Sequence, residues 1–162
     1  MPRSDGEAPI TLSVLDRLID SEPGRPADPP PTRSRSLRIL KQAVRRDLEW
    51  LLNARRSILS LPPNLEQTAR SIHLYGLPDF SAASVKNPSD QVQILRTLED
   101  AIALFEPRLQ SVSIAMDTGG GTERSLHFRI DAQLQVDPAP EPVTFDTMVQ
   151  LYSGEYEVKE EG

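Results

Sequence analysis

The hydrophobic period of this chain changes once, near Pro107, and that change dictates the fold class. Upstream, apolar residues recur every three or four positions: Leu37, Leu40, Val44, Leu48, Leu51 and Leu52 in one run, Val92, Leu95, Leu98, Ile102 and Phe105 in another. That spacing puts each set on one face of an α-helix. Downstream, Val112, Ile114 and Met116 alternate with Ser111, Ser113 and Ala115. Leu126, Phe128, Ile130, Ala132, Leu134 and Val136 then alternate with polar neighbours such as His127, Arg129 and Asp131. Alternation of this kind belongs to an antiparallel strand with one face on a core and one in water. Helices first and strands last predict an α+β domain, with N-terminal helices packed on a small C-terminal antiparallel β-meander.

Punctuating residues set the expected boundaries. Ile10–Asp20 reads as a short amphipathic helix capped by Thr11 or Ser13, with Leu12, Leu15, Leu18 and Ile19 on one face. Pro23, Pro26, Pro29, Pro30 and Pro31 exclude a helix or central strand from 21–35, which reads as an extended linker. Ser36 is placed to cap the long helix, which ends before Pro62-Pro63. Asn64 caps a further helix through Tyr75 that buries Leu65, Ala69, Ile72 and Leu74; Gly76 stops it, and the apolar residues of Leu77-Pro78-Asp79-Phe80 tuck back onto the core. Pro88-Ser89-Asp90 opens the last helix and Pro107 terminates it. The segment 117–123, with Gly119-Gly120-Gly121, is a flexible turn. Pro138, Pro140 and Pro142 break the second strand. Val143–Tyr152 is a third strand, and Gly154 leads into a terminal strand at Tyr156–Val158. The expected organisation is 1–35 for the N-terminal helix and proline-rich linker, 36–158 for the α+β domain, and 159–162 for an acidic tail.

Composition excludes several classes of chemistry. The chain has 162 residues, enough for about one domain, and no cysteine, which removes disulfides and thiolate metal sites. No run approaches the roughly 20 apolar residues of a membrane span, and residues 1–8 carry no signal-peptide core. A cytoplasmic protein with no membrane insertion is expected. His73 and His127 have no ligand-spaced partners. The glycine run has no following helix and no Lys-Ser/Thr, so it is not a phosphate cradle. No serine lies in a strand–turn–helix elbow. No metal, cofactor or catalytic residue is expected. The net charge is −6, yet arginines and Lys41 crowd 33–56 while carboxylates crowd 139–162. Such asymmetry steers partners or neutralises itself across an interface.

Two patterns remain. Ala43–Arg56 forms an amphipathic helix whose polar face carries Arg45, Arg46, Asp47, Glu49, Asn53, Arg55 and Arg56. On a helical wheel Arg45, Glu49 and Arg56 share one side, and Arg46, Trp50 and Asn53 another. Trp50 among arginines favours a protein interface; a helix supported by its own charge pairs is the plainer alternative. Phosphate binding by this helix is a further alternative, opposed by Asp47, Glu49 and the acidic total. The second pattern is Phe105-Glu106-Pro107-Arg108-Leu109, where proline fixes a turn at the junction of helix and sheet and orients Glu106 and Arg108. A helix stop with a surface salt bridge is its plainer alternative. Glu99, Asp100 and Glu106 also leave a peptidoglycan hydrolase open, but two carboxylates across a cleft lined with aromatic platforms are needed, and aromatics are only 5% of the chain.

Several motifs in order resemble one family. The run Val44-Arg45-Arg46-Asp47-Leu48-Glu49-x-Leu51-Leu52-Asn53-x-Arg55 is similar to the signature of the TssE family, the type VI secretion baseplate subunits related to the small wedge protein of contractile phage tails. Leu12–Leu18, Ser71-Ile72-x-x-Tyr75-Gly76-Leu77-Pro78-Asp79-Phe80, Glu106-Pro107-Arg108 and Pro142-Val143-x-Phe145-x-Thr147 resemble further segments of that family, and the match spans roughly 10–158. Ala54, where the family often has threonine, is a departure. The resemblance implies a non-enzymatic wedge subunit working with TssF and TssG. It implies that Glu106-Pro107-Arg108 contacts the helical core bundle of the wedge and that the small sheet offers an edge to the first ring of the TssB/TssC sheath. TssK and the inner tube would be reached only through the assembled baseplate. The residues expected at protein interfaces are Glu106, Pro107, Arg108, Arg45, Arg46, Trp50, Tyr156 and Val158.

Overall fold

A computed structural model describes residues 10–19, 24, 32–56, 64–80, 83, 87–117, 125–150 and 155–160. The expected loose start at 1–8, the prolines of 23–31, the Pro62-Pro63 stop, the Gly119–Gly121 turn, Tyr152 and the turn at Gly154 lie outside the described residues, as does the end of the acidic tail. The chain divides into two compact units, Met1–Val44 and Arg45–Gly162, with the division inside a helix.

In the first unit, α1 spans only Val14–Leu18 and is capped by Ser13, not Thr11. The Ser13 hydroxyl accepts the Asp16 N–H at 3.1 Å and donates to the Asp16 carboxylate at 2.5 Å. This reciprocal cap turns Asp16 inward, and it is the buried side chain of the helix. The expected apolar face is not buried: Leu12 is half-buried, and Leu15, Leu18 and Ile19 are exposed. Helix α2 spans Arg33–Asn53 and begins one turn before the expected Ser36 cap. Thr32 is the reason. Its hydroxyl accepts the Arg35 N–H at 3.3 Å and its carbonyl accepts the Ser36 N–H at 2.9 Å. Ser36 instead lies buried in the first turn, donating its own hydroxyl to that same carbonyl.

In the second unit, α2 ends at Asn53 well before Pro62. The chain beyond it is captured by Leu77: Ala54 C=O accepts the Leu77 N–H at 2.8 Å and the Arg56 N–H donates to Leu77 C=O at 3.0 Å. Arg55 and Leu77 form a parallel bridge. Gly76 makes this approach possible. It sits at φ +104°, and a Cβ there would lie 2.3 Å from the Ala54 carbonyl oxygen. Leu77 is fully buried, as its sequence context predicts. The helix expected from Asn64 to Tyr75 is two pieces, α3 (Glu66–Ala69) and a 3₁₀ turn at Ile72–Leu74. Ser71 separates them, donating to Thr68 C=O and accepting the His73 N–H. Leu65 and Ile72, expected inside, are exposed.

Helix α4 spans Pro88–Phe105 with Asn87 as cap and Pro88 in the first turn. Its buried residues are Ile94, Leu98, Ala101 and Ile102. The stripe is therefore rotated from the expected one, and Val92 is exposed.

The sheet is an antiparallel meander in the order β1 (Leu109–Asp117), β2 (Ser125–Leu134), β3 (Glu141–Gln150) and β4 (Glu155–Glu160). The molecule is α+β, as the change of period predicts. Phe128, Ile130, Ala132 and Leu134 are buried on β2, Val143, Phe145 and Thr147 on β3, and Tyr156 and Val158 on β4. With Leu48, Leu51 and Leu52 of α2 they supply the core of this unit. The other sheet face is polar, with Arg129–Asp146 at 3.5 Å and Lys159–Glu157 at 3.2 Å.

Strand β1 departs from simple alternation. Gln110 pairs with Gln133 but Ser113 pairs with Asp131, so Ser111 and Val112 oppose one residue. Ser111 takes φ +52° to form this bulge. The extra residue reverses the facing of the strand, so Leu109 and Ile114 are both buried although one position is odd and the other even. β2 ends before Pro138, as expected, but Pro142, expected between the second and third strands, lies inside β3 opposite Gln133. Among the described residues β4 pairs with β3 from Phe145 onward, so at Pro142 the strand is paired with β2 alone and the missing N–H is tolerated.

Thr147 is 2% exposed, and its hydroxyl has no hydrogen-bond partner among the described residues. A buried, unpaired hydroxyl costs free energy that an isosteric methyl does not. Thr147→Val should therefore raise the unfolding free energy by about 1 kcal/mol in urea denaturation. A loss of stability would show that the hydroxyl is satisfied.

Candidate functional site

The turn between α4 and β1 is built by its own sequence. The Glu106 N–H closes α4 onto Ile102 C=O at 2.8 Å, Pro107 prevents a further helical bond, and the Leu109 N–H returns to Glu106 C=O at 3.1 Å. Arg108 C=O then accepts the Gln135 N–H at 2.8 Å, which ties the turn to the end of β2. Glu106 is buried at 4% exposure, while Pro107 is exposed.

The side chains of this turn form a bidentate pair. Arg108 Nε donates to Glu106 Oε1 at 2.6 Å and Arg108 Nη2 to Glu106 Oε2 at 2.6 Å. The same Nη2 donates to Asp47 Oδ2 at 2.5 Å. Asp47 in turn accepts from Arg46 through Nε at 2.9 Å and Nη2 at 2.8 Å. The Arg46 guanidinium lies 4.9 Å from the centre of the Trp50 ring, within cation–π range. A continuous chain of contacts thus runs Glu106–Arg108–Asp47–Arg46–Trp50, from a buried carboxylate to an indole that is 54% exposed. The hydrogen bonds that Arg108 donates to Glu106, with help from Asp47 and against the opposing effect of burial, push the Arg108 pKa up and hold the guanidinium charged.

The Glu106–Arg108 contact is therefore stronger than the surface bridge its sequence also allowed. Fork-to-fork geometry on a buried carboxylate is the favourable form of the interaction. Removing one partner of such a buried pair costs about 3–5 kcal/mol, because the other charge is left unpaired.

The remaining expected residues sit elsewhere. Tyr156 and Val158 bury their side chains, and their main chains bond to α2. Asn53 Oδ1 accepts the Tyr156 N–H at 2.8 Å, Asn53 Nδ2 donates to Tyr156 C=O at 2.8 Å, and Arg45 Nη1 donates to Val158 C=O at 3.1 Å. Arg46 and Trp50 pair as the helical wheel suggests. Arg45 and Asn53, placed on different sides by that wheel, both reach β4. Asp47 and Asn53 are the residues that interface reasoning missed. Their signal was their place in the Arg-Arg-Asp-Leu-Glu-x-Leu-Leu-Asn run. Two of the three carboxylates of the hydrolase alternative are committed internally: both oxygens of Glu106 accept from Arg108, and Glu99 accepts the Ile114 N–H at 3.2 Å, while Asp100 is exposed. Among the described residues no cluster of three metal-binding side chains occurs, and no helix is long and apolar enough to cross a membrane.

Tyr75 reports on this site. Its ring meets Phe105 edge-on at 5.3 Å. Burial, then the charges of Asp47 and Glu106, raise its pKa above the ordinary 10.0. The neutral phenol is thus favoured in the folded chain. The associated stability is fully present below about pH 10 and is lost as pH rises through the folded value. Absorbance titration should show a tyrosine ionising later than free phenol, and Tyr75→Phe should remove part of the alkaline loss of stability. An alkaline unfolding profile unchanged in Tyr75→Phe would contradict this.

A model of the baseplate wedge protein gp25 family matches residues 38–139, more than half of the chain. No curated protein and no solved structure matches. The matched segment contains most of α2, the Glu106-Pro107-Arg108 turn, β1 and β2. The chain belongs to the gp25 family of baseplate wedge proteins, the structural subunits of contractile-tail baseplates.

Proposed function

We propose that this protein is the TssE-type wedge subunit of a type VI secretion baseplate. In this reading it joins the TssF/TssG core bundle to the first ring of the TssB/TssC sheath and helps to start sheath assembly at the cytoplasmic face of the inner membrane. TssK and the inner tube are reached through the assembled baseplate. The observation that carries the reading is the contact chain from Glu106 to Trp50. It locks the turn in place and leaves Pro107 and Trp50 exposed beside half-buried Arg46 and Arg108. A pre-ordered patch of tryptophan and arginine has the composition of an interface hot spot. It also loses little entropy on docking, because its side chains are already fixed.

In co-purification with TssF and TssG, Glu106→Ala and Arg108→Ala should each weaken recovery, because either change leaves the other charge unpaired and releases the turn that presents Pro107. Trp50→Ala tests the exposed end with little expected effect on folding, and should also reduce recovery. Unchanged recovery of all three, with folding verified by circular dichroism, contradicts the proposal.

A further inference from the structure

The end of α2 does for β4 what another strand would do. In an antiparallel ladder, a residue that directs its N–H and C=O away from its neighbour leaves both unpaired at an edge. Tyr156 and Val158 are such residues on β4, opposite Val149 and Thr147 of β3. Asn53 bonds both main-chain groups of Tyr156, and Arg45 takes the Val158 carbonyl. A carboxamide carries the same donor and acceptor as a peptide group, so Asn53 occupies the place of a paired residue. Its Nδ2 also donates to Glu49 C=O at 2.8 Å, which anchors the amide to the helix. The opposite edge is managed differently. On β1 the Ile114 N–H is held by Glu99, and the bulge at Ser111 disrupts the ladder.

We infer that Asn53 and Arg45 close the β4 edge against strand addition, and that the strand they exclude is β4 of a second copy of this chain. The sequence of β4 is suited to self-pairing. In the antiparallel register that sets Tyr156 opposite Val158, their outward main-chain groups meet, and Glu155 faces Lys159 on both sides of the two-fold axis. Glu157 meets itself on the axis, the one unfavourable pair. Alternating Tyr156 and Val158 also give this strand the apolar face that another sheet would extend. The side chains of α2 therefore keep a competent edge occupied. This role goes beyond attachment to other baseplate parts and is testable in the isolated chain, so failure of the wedge assignment leaves it standing and its own failure leaves the wedge assignment standing.

Amide hydrogen exchange and light scattering on the purified chain test it. The unaltered protein should be a monomer with a protected Tyr156 amide. Asn53→Ala, at a concentration where it is monomeric, should exchange that amide roughly tenfold faster, the scale of one lost hydrogen bond. Arg45→Ala combined with Asn53→Ala should dimerise with rising concentration. An unprotected Tyr156 amide in the unaltered protein, or a double variant that stays monomeric, overturns the inference. If the double variant does not fold, Asn53→Asp decides. It keeps the acceptor for the Tyr156 N–H and should retain the protection that Asn53→Ala loses, whereas equal exchange in the two variants overturns the inference.

Discussion

The guanidinium of Arg108 is the point on which the second unit depends. It closes on both oxygens of buried Glu106 and reaches Asp47, so it joins the end of α4, the start of β1 and the middle of α2. Its own carbonyl holds the end of β2. A buried ion pair contributes little net stability compared with apolar packing, but losing half of it is costly. Its value here is geometric. The pair admits one arrangement of helix, turn and strand and penalises others by stranding a carboxylate in the core.

The polar face of α2 is divided by this arrangement. Arg45 and Asn53 reach the edge of β4, Asp47 reaches the turn, and Arg46 stacks on Trp50. A helix that looks like a docking surface in one dimension is largely a set of internal staples. The contact chain ends in two exposed residues, Trp50, stacked by Arg46, and Pro107, beside Arg108. Rigid presentation of a small patch suits a subunit whose role in a baseplate is structural.

Much of this was legible in the sequence because burial imposes period. The change near Pro107 gave the α+β order, the alternation on β2 holds from Phe128 to Leu134, and Leu77 is buried where a loop was expected to fold back. The errors have physical causes. The expected alternation of Val112, Ile114 and Met116 holds on β1; what a period-2 pattern does not reveal is the bulge at Ser111, which brings Leu109 onto the same face. Leu77 captures Ala54–Arg56 and ends α2 early, a tertiary bond that overrides local helix preference. Pro142 fits a strand because β4 is short there. The partners of Asp47 and Asn53 lie 61 and 103 positions away, beyond the reach of local spacing. The motif marked these residues without revealing what they hold.

The central claim is that Asp47 and Arg108 are coupled, fixing α2 to the turn. A double-mutant cycle in urea denaturation measures this directly, with Asp47→Ala, Arg108→Ala and the combined variant. Contacting residues of one ion-pair network typically couple by about 0.5–3 kcal/mol, and a favourable coupling in that range is predicted. Stability losses that add to within about 0.3 kcal/mol would contradict the account, because the two residues would then be acting independently.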